Sequence, residues 1–107
     1  MNIDTLLKLV GTERDSAMLR LTLARLLVAD DDLGQAETHL AAAVDMDRDY
    51  TAAWKELGKV RQQRGNHAGA AEAWREGIEV ARARGDKQAE KEMTVFLKRL
   101  SREQPGP

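Results

Sequence analysis

The amino-acid sequence predicts an all-α protein built from antiparallel helical hairpins that stack side by side. Ala, Leu, Arg and Glu dominate the 107 residues, and these are strong helix formers. The two prolines lie within the last three residues, so nothing interrupts a helix before position 105. A shift of the sequence by 34 residues brings apolar positions of similar size into register, which indicates an internal repeat.

The first segment, residues 2–11, is predicted to form a short capping helix that ends at Gly11. Its apolar side chains recur at helical spacing, so they form one face that can cover the open edge of the first repeat. These apolar residues are Ile3, Leu6, Leu7 and Val10.

The repeated units are residues 17–50 and 51–84, and each is interpreted as two helices joined by a turn. Small residues recur where the two helices of a unit are expected to cross, and bulky residues lie one turn away, where they fill the space between the helices. The small pairs are Ala24 with Gly58 and Ala36 with Ala70, and the main bulky pair is Leu40 with Trp74. At this repeat spacing, the tryptophans are predicted to be core residues.

The last helix, residues 86–102, is predicted to be a second cap. It follows the second unit by 36 residues, so we expect the helix before it to be about half a turn longer than its counterpart. Residues 103–107 are expected to be a disordered tail. Residues 1–103 would then form one domain of about six helices, with two repeats between two caps.

Residues 54–58 read Trp-Lys-Glu-Leu-Gly, and on this motif the chain resembles the tetratricopeptide repeat family. The resemblance covers residues 17–84 and is weaker in the first unit, where Arg20 stands at the tryptophan position. The further positions that match the family pattern are Gly65, Ala70, Trp74 and Ile78. The resemblance implies a short right-handed solenoid and a function in binding other proteins through an extended peptide.

Composition removes several function classes. The formal charge of −1 provides no overall basic field for nucleic acid, and the absence of cysteine excludes disulfides and thiolate chemistry. No apolar stretch is long enough for a membrane-spanning helix, and the first residues lack the basic region of a secretory signal, so a cytoplasmic protein is expected.

No residue pattern predicts catalysis, a cofactor or a metal site. His39 and His67 lie on separate helices with too few neighbouring ligands for a metal ion. The run Asp30-Asp31-Asp32 lacks the alternating oxygen ligands of a calcium loop and is interpreted as a solvated turn. We therefore expect no enzyme activity.

The first helix of each hairpin is expected to line the concave side of the solenoid. The buried stripes leave a set of positions free to face this side. They are Met18, Leu21, Arg25, Val28, Ala52, Lys55, Lys59, Gln62, Gln88, Lys91, Val95 and Lys98. This set contains cations and no carboxylate, which predicts a groove for an acidic peptide or a terminal carboxylate. The predicted partner-binding residues are Arg25, Lys55, Lys59, Gln62, Lys91 and Lys98.

Two alternatives stay open at this point. Lysine and arginine on exposed helices are often merely solvated, and Glu56 and Glu92 are close enough in sequence to pair with them. Some relatives of the resembled family grip a terminal carboxylate with lysine and asparagine, but the asparagines are absent here. The preferred function is a monomeric adaptor that binds a partner protein. The alternative is a structural module that forms a homodimer through its short solenoid edges.

Overall fold

The computed structural model describes residues 2–103, and this part of the chain contains six α-helices and no strand. The all-α prediction is confirmed. The helices are α1 (Ile3–Leu7), α2 (Ala17–Ala29), α3 (Leu33–Met46), α4 (Thr51–Gln63), α5 (His67–Arg84) and α6 (Lys87–Glu103).

Side chains at equivalent repeat positions begin the return helices. Asp32 accepts a hydrogen bond from the Gln35 N–H at 3.2 Å, and Asn66, 34 residues later, accepts one from the Gly69 N–H at 2.9 Å. Such caps satisfy amide groups that have no partner inside the helix. The repeat therefore specifies the turns of the two hairpins as well as their apolar faces.

The helices pack as hairpins, α2 against α3 and α4 against α5, and α6 packs against α5. The small residues predicted at the crossings are all buried, and at Gly58 the indole of Trp74 approaches so closely that a Cβ atom would overlap it. Gly77 is in the same way covered by Met93 and Trp54. Both tryptophans are buried, which confirms them as core residues.

The N-terminal helix is shorter than the predicted segment 2–11. After Leu7 the chain continues in turns, because the Gly11 N–H donates to Asp15 Oδ2 at 2.9 Å instead of continuing a helix. Val10 still packs against the core despite the change of conformation. The N-terminal segment therefore covers the edge of the first repeat as a single turn of helix followed by packed turns.

The helix α5 is longer than its counterpart α3, in the predicted direction but by more than predicted. It has 18 residues against 14, which is a full turn, and the connection after it is two residues shorter. The extra turn lets Arg84 Nη1 donate to the Asp49 carbonyl at 2.6 Å, and Gly85 ends the helix at φ +72°. Residue 103 of the predicted tail is the last residue of α6, and residues 104–107 lie outside the described residues.

Candidate partner-binding surface

Three of the predicted binding residues, Lys55, Lys59 and Gln62, lie on α4 beside α6, and all three are half-buried. Each has a partner on α6. The surface between these two helices is called the α4–α6 cleft below. Its wall on α4 is formed by Lys55, Lys59 and Gln62, and its wall on α6 is formed by Glu92, Phe96, Arg99 and Glu103.

The contacts across the α4–α6 cleft are polar and weak individually. The Lys55 ammonium lies 3.6 Å from Glu92 Oε2, and the Gln62 amide donates to Glu103 Oε2 at 3.2 Å. Between them, the Lys59 ammonium lies 5.4 Å from the centroid of the Phe96 ring. An ammonium at this distance is attracted to the negative face of the ring.

Two depressions open along the α4–α6 cleft. The one beside Lys55 has a volume of about 170 Å³ and extends to the start of α6 at Asp86 and Gln88. The other has a volume of about 210 Å³ and lies between Lys59 and Arg99, with Trp74 at its floor. The cleft thus combines shallow concavity with cationic groups at both depressions, of which Lys55 and Lys59 are half-buried and Arg99 is exposed.

Arg25, the predicted binding residue on α2, is exposed and lies 3.9 Å from Glu56 of α4. The pair links the first helices of the two hairpins. Because the arginine is exposed and the distance is long, this ion pair contributes little to stability.

Lys91 and Lys98 do not join the α4–α6 cleft. They lie on the face of α6 that points away from α4 and α5, where they border a separate depression of about 410 Å³ with Val95 between them. The structure therefore divides the six predicted residues into a group around α4 and a pair on the outer face of α6.

Leu21 was expected to face the concave side, and this expectation is wrong. Leu21 is 3% exposed and belongs to the core cluster around the first repeat, whereas Met18, one turn earlier, is exposed. Leu21 occupies the repeat position that Lys55 occupies in α4. The apolar side chain is buried at this position and the lysine is only half-buried, as expected from their polarity.

The comparisons with known proteins decide the family. No model of a protein family matches the chain. A protein of Pseudomonas aeruginosa named as TPR repeat-containing is 46% identical over 95% of this chain and 97% of its own length. The chain belongs to the tetratricopeptide repeat family. A protein of Bordetella parapertussis with a solution structure is 41% identical to this chain. The match covers 96% of this chain and 90% of that protein, with a TM-score of 0.81.

A tetratricopeptide repeat domain from Salinibacter ruber has the same fold at lower identity. It is 22% identical, the match covers 89% of this chain and 96% of that domain, and the TM-score is 0.83. Tetratricopeptide repeats generally mediate protein–protein interactions and are typically not enzymes. Within residues 2–103, no helix is long and apolar enough to cross a membrane, and no three side chains of the ligand types gather in an arrangement that could hold a metal ion.

One polar cluster of this tetratricopeptide repeat escaped the sequence analysis. Arg20, at the tryptophan position of the first repeat, donates from Nε and Nη2 to both oxygens of Asp15, at 3.0 and 2.8 Å. Its Nη1 lies 3.2 Å from Nδ1 of buried His39. Because a guanidinium only donates, this His39 nitrogen must accept the hydrogen bond and carry no proton.

The same cluster shifts two pKa values. The hydrogen bonds from Arg20, together with the Gly11 N–H, hold the pKa of the Asp15 carboxyl well below its usual range. Burial lowers the pKa of His39, and the neighbouring Arg20 charge lowers it further. The cluster joins the N-terminal turns to α2 and α3, so its position indicates a structural part in the first repeat. The missed signal was Arg20 itself, a charged residue in an otherwise apolar stripe.

Proposed function

We propose that this protein is an interaction module that binds a partner protein through the α4–α6 cleft on its concave face. The ligand is an extended peptide segment with acidic side chains or a free C-terminal carboxylate. The observation that carries the proposal is the Lys59 ammonium beside the Phe96 ring, at the edge of a depression that also contains Arg99.

Lys59 is suited to receive a carboxylate because its present partner is an aromatic ring. Among the described residues, no carboxylate oxygen lies within 4.0 Å of its ammonium. The ring orients the ammonium and leaves its hydrogen-bonding capacity for a ligand. Arg99, on the opposite wall of the same depression, adds a second cation.

Lys55 is suited to exchange partners. Its side chain is 22% exposed and that of Glu92 is 39% exposed, at a distance of 3.6 Å. Ion pairs with this degree of exposure contribute about 1 kcal/mol or less, so an incoming carboxylate can replace Glu92 at little cost. A peptide along α4 would then contact Lys55 and Lys59 one helical turn apart.

The decisive experiment titrates the ¹⁵N-labelled protein with an acidic peptide that ends in a free carboxylate and with its C-terminally amidated copy. We expect amide shifts along α4 and α6 in the cleft, and weaker binding as salt is added, because screening reduces the attraction. The variant Lys55→Glu/Lys59→Glu should lose the shifts. The matched control Lys91→Glu/Lys98→Glu makes the same charge change outside the cleft and should retain them.

Equal binding by the two variants, or shifts confined to other surfaces, would contradict the proposal. A stronger response to the free carboxylate than to the amidated peptide would identify the C-terminus as the recognised group. Sedimentation of the protein alone tests the homodimer alternative. A dimer that forms with increasing concentration and dissociates in Lys55→Glu/Lys59→Glu would favour self-association over a peptide ligand.

A further inference from the structure

A separate groove lies between the two return helices, α3 and α5. Both helices pack against α4 but make little direct contact with each other, so α4 closes the gap between them. The groove has a volume of about 230 Å³, slightly larger than either depression of the α4–α6 cleft. Its floor is formed by Val44, Trp54 and Leu57, and its wall on α5 is formed by Glu72 and Glu76. It is called the α3–α5 groove below.

The two arginines that line the α3–α5 groove already have partners. Arg61 Nε donates to Glu37 Oε2 at 3.3 Å, and Arg61 Nη1 donates to the Gly69 carbonyl at 3.1 Å. Arg48 Nη1 lies 3.5 Å from Asp45 Oδ1 at the end of α3. Both arginines therefore already have a carboxylate beside them on their own side of the groove.

The two glutamates of the α5 wall have no such partner. In the part of the chain that the structure describes, no lysine, arginine or histidine nitrogen lies within 4.0 Å of the Glu72 or Glu76 carboxylate. Both side chains are exposed. They are four residues apart, so they are neighbours on one face of α5, and both line the groove.

The repeat does not account for these two glutamates. A shift of 34 residues places Thr38 and Ala42 of α3 at their positions, so the first repeat carries no charge there. The ion pair at the end of α3, by contrast, recurs in the second repeat, where Glu79 pairs with Arg82 at 3.0 Å. The unpaired negative charge is thus a property of this one wall and is not common to the two return helices.

We propose that the α3–α5 groove binds a basic segment of a partner protein, one arginine of which enters the groove. Its guanidinium would lie between Glu72 and Glu76, because five donors in one plane can reach two carboxylates. Its aliphatic part would cover Val44 and Leu57. The site is separate from the α4–α6 cleft and takes a ligand of opposite charge, so it does not depend on the function proposed above.

Charge complementarity favours this occupant over the others. The two glutamates repel an acidic peptide or a nucleic-acid phosphate, and a membrane surface requires a broad apolar face in place of a narrow groove. Arginine suits the site better than lysine, since an ammonium is a compact charge without the planar fork of donors. A second copy of this chain could supply a basic side chain, so self-association is one outcome of the test.

The two tryptophans allow the two sites to be told apart. Trp54 lines the α3–α5 groove, and its indole N–H donates to the Arg48 carbonyl at 2.9 Å. Trp74 lines a depression of the α4–α6 cleft, and its indole N–H donates to the Lys55 carbonyl at 3.2 Å. Each indole gives one N–H signal in the spectrum of the ¹⁵N-labelled protein, so the signal that shifts identifies the site that a ligand occupies.

The probe is a capped, flexible glycine- and serine-rich peptide of about eight residues, with a central arginine between two lysines. One control peptide replaces the arginine by citrulline, which keeps its shape and removes its charge, and another replaces it by lysine. We expect the arginine peptide to shift the Trp54 indole signal and the amides of Val44, Glu72 and Glu76, and to leave the Trp74 indole signal unchanged. The citrulline peptide should bind at least about tenfold more weakly, and the lysine peptide at least about threefold.

Two variants with the same change of charge test the glutamates. Glu72→Gln/Glu76→Gln should weaken binding of the arginine peptide at least about tenfold. The matched control Asp30→Asn/Asp31→Asn lies in the turn between α2 and α3 and should change binding less than about twofold. Asparagine is compatible with the φ of +60° at position 31. Circular dichroism should show equal helix content in all three proteins, since the four side chains are exposed.

Equal binding of the arginine and citrulline peptides, or equal binding by the two variants, would overturn the proposal. A shift of the Trp74 indole signal alone, or no shift at millimolar peptide, would do the same. Equal binding of the arginine and lysine peptides would overturn the assignment of arginine. Concentration-dependent self-association that is lost in Glu72→Gln/Glu76→Gln would overturn the proposal in favour of a second copy as the occupant. None of these results bears on the acidic-peptide titration, which has its own ligand and its own variants.

Discussion

The two hairpins carry residues of opposite chemical character at the same repeat position. In the second hairpin Trp54 is buried, its indole N–H donates to the Arg48 carbonyl at 2.9 Å, and the Arg48 guanidinium lies 5.5 Å from its ring. In the first hairpin the equivalent residue is Arg20, which holds Asp15 and contacts His39. Both side chains reach back to the connection that precedes their own helix.

The comparison shows that the residue at this position holds the preceding connection in place in both repeats. It does so by a different kind of interaction in each. Trp54 anchors by buried apolar area and one hydrogen bond. Arg20 anchors by a bidentate ion pair that is only slightly exposed. The second hairpin should therefore depend on packing, and the first should also depend on charge and pH.

The largest expected effect comes from removing the aromatic anchor. Trp54→Ala should lower the free energy of unfolding by about 3–5 kcal/mol, because it leaves a cavity in the core. Arg20→Ala should lower it by about 1–3 kcal/mol, since it removes charge-assisted hydrogen bonds from a partly buried site. Urea unfolding followed by circular dichroism measures both values.

The control for the first hairpin is Arg20→Lys, which keeps the charge but cannot form the two parallel hydrogen bonds to Asp15. We expect it to recover only part of the loss. If Arg20→Lys were as stable as the natural protein, charge alone would explain the anchor. If Arg20→Ala were as costly as Trp54→Ala, the distinction between the two hairpins would fail.

A smaller effect is expected at the close approach of α4 and α5. Gly58→Ala places a Cβ atom against the rigid indole of Trp74 and disturbs its hydrogen bond to the Lys55 carbonyl. It should cost about 1–3 kcal/mol by overpacking. The matched control is Gly34→Ala on α3, where the nearest heavy atom to the new Cβ would be Arg64 Nη2 at 3.8 Å. That substitution should stabilise by about 0.5–1 kcal/mol. Destabilisation by both would contradict the role of Trp74.

The smallest effect is a pH dependence specific to the first hairpin. Burial and Arg20 lower the pKa of His39 in the folded protein, so below its unfolded pKa of about 6.5 the unfolded chain binds more protons. This contribution to stability is complete above that pH and is lost as the pH falls through the folded pKa. The variant His39→Gln should therefore lose less stability than the natural protein between about pH 7.5 and about pH 5.

His67→Gln makes the same substitution at the other histidine and controls for the loss of an imidazole. The measurement is the urea midpoint at both pH values for all three proteins. Parallel pH profiles for His39→Gln and the natural protein would contradict this prediction, because they would show that folding does not change the pKa of His39.

The periodic apolar residues allowed the fold to be predicted, because residues of similar size recur at the repeat spacing and mark equivalent packing positions. The small pair Ala24 and Gly58 is one example. The Arg20 cluster could not be predicted in the same way. Its members come from a connection, α2 and α3, and only the packed structure brings them within hydrogen-bond distance. The sequence showed the departure from the family pattern at position 20 without showing its partner.

The site was predicted in part for a related reason. Helical periodicity places Lys91 and Lys98 at the repeat positions of Lys55 and Gln62. It carries no information on whether a further helix packs beside these positions. In α4 these positions meet α6, and in α6 they meet solvent among the described residues. Leu21 shows the opposite case, an equivalent position that an apolar side chain keeps in the core.

The tryptophans at positions 54 and 74 are the only two in the chain, and both belong to the second hairpin. Their fluorescence therefore reports the environment of the second hairpin and of α6, because the Phe96 ring lies 5.4 Å from that of Trp74. Circular dichroism averages over every helix. Repeat proteins can unfold unit by unit when neighbouring units are weakly coupled. Superimposable fluorescence and dichroism curves would show that the hairpins melt as one unit. An offset between the curves would give the order in which they separate, without any introduced label.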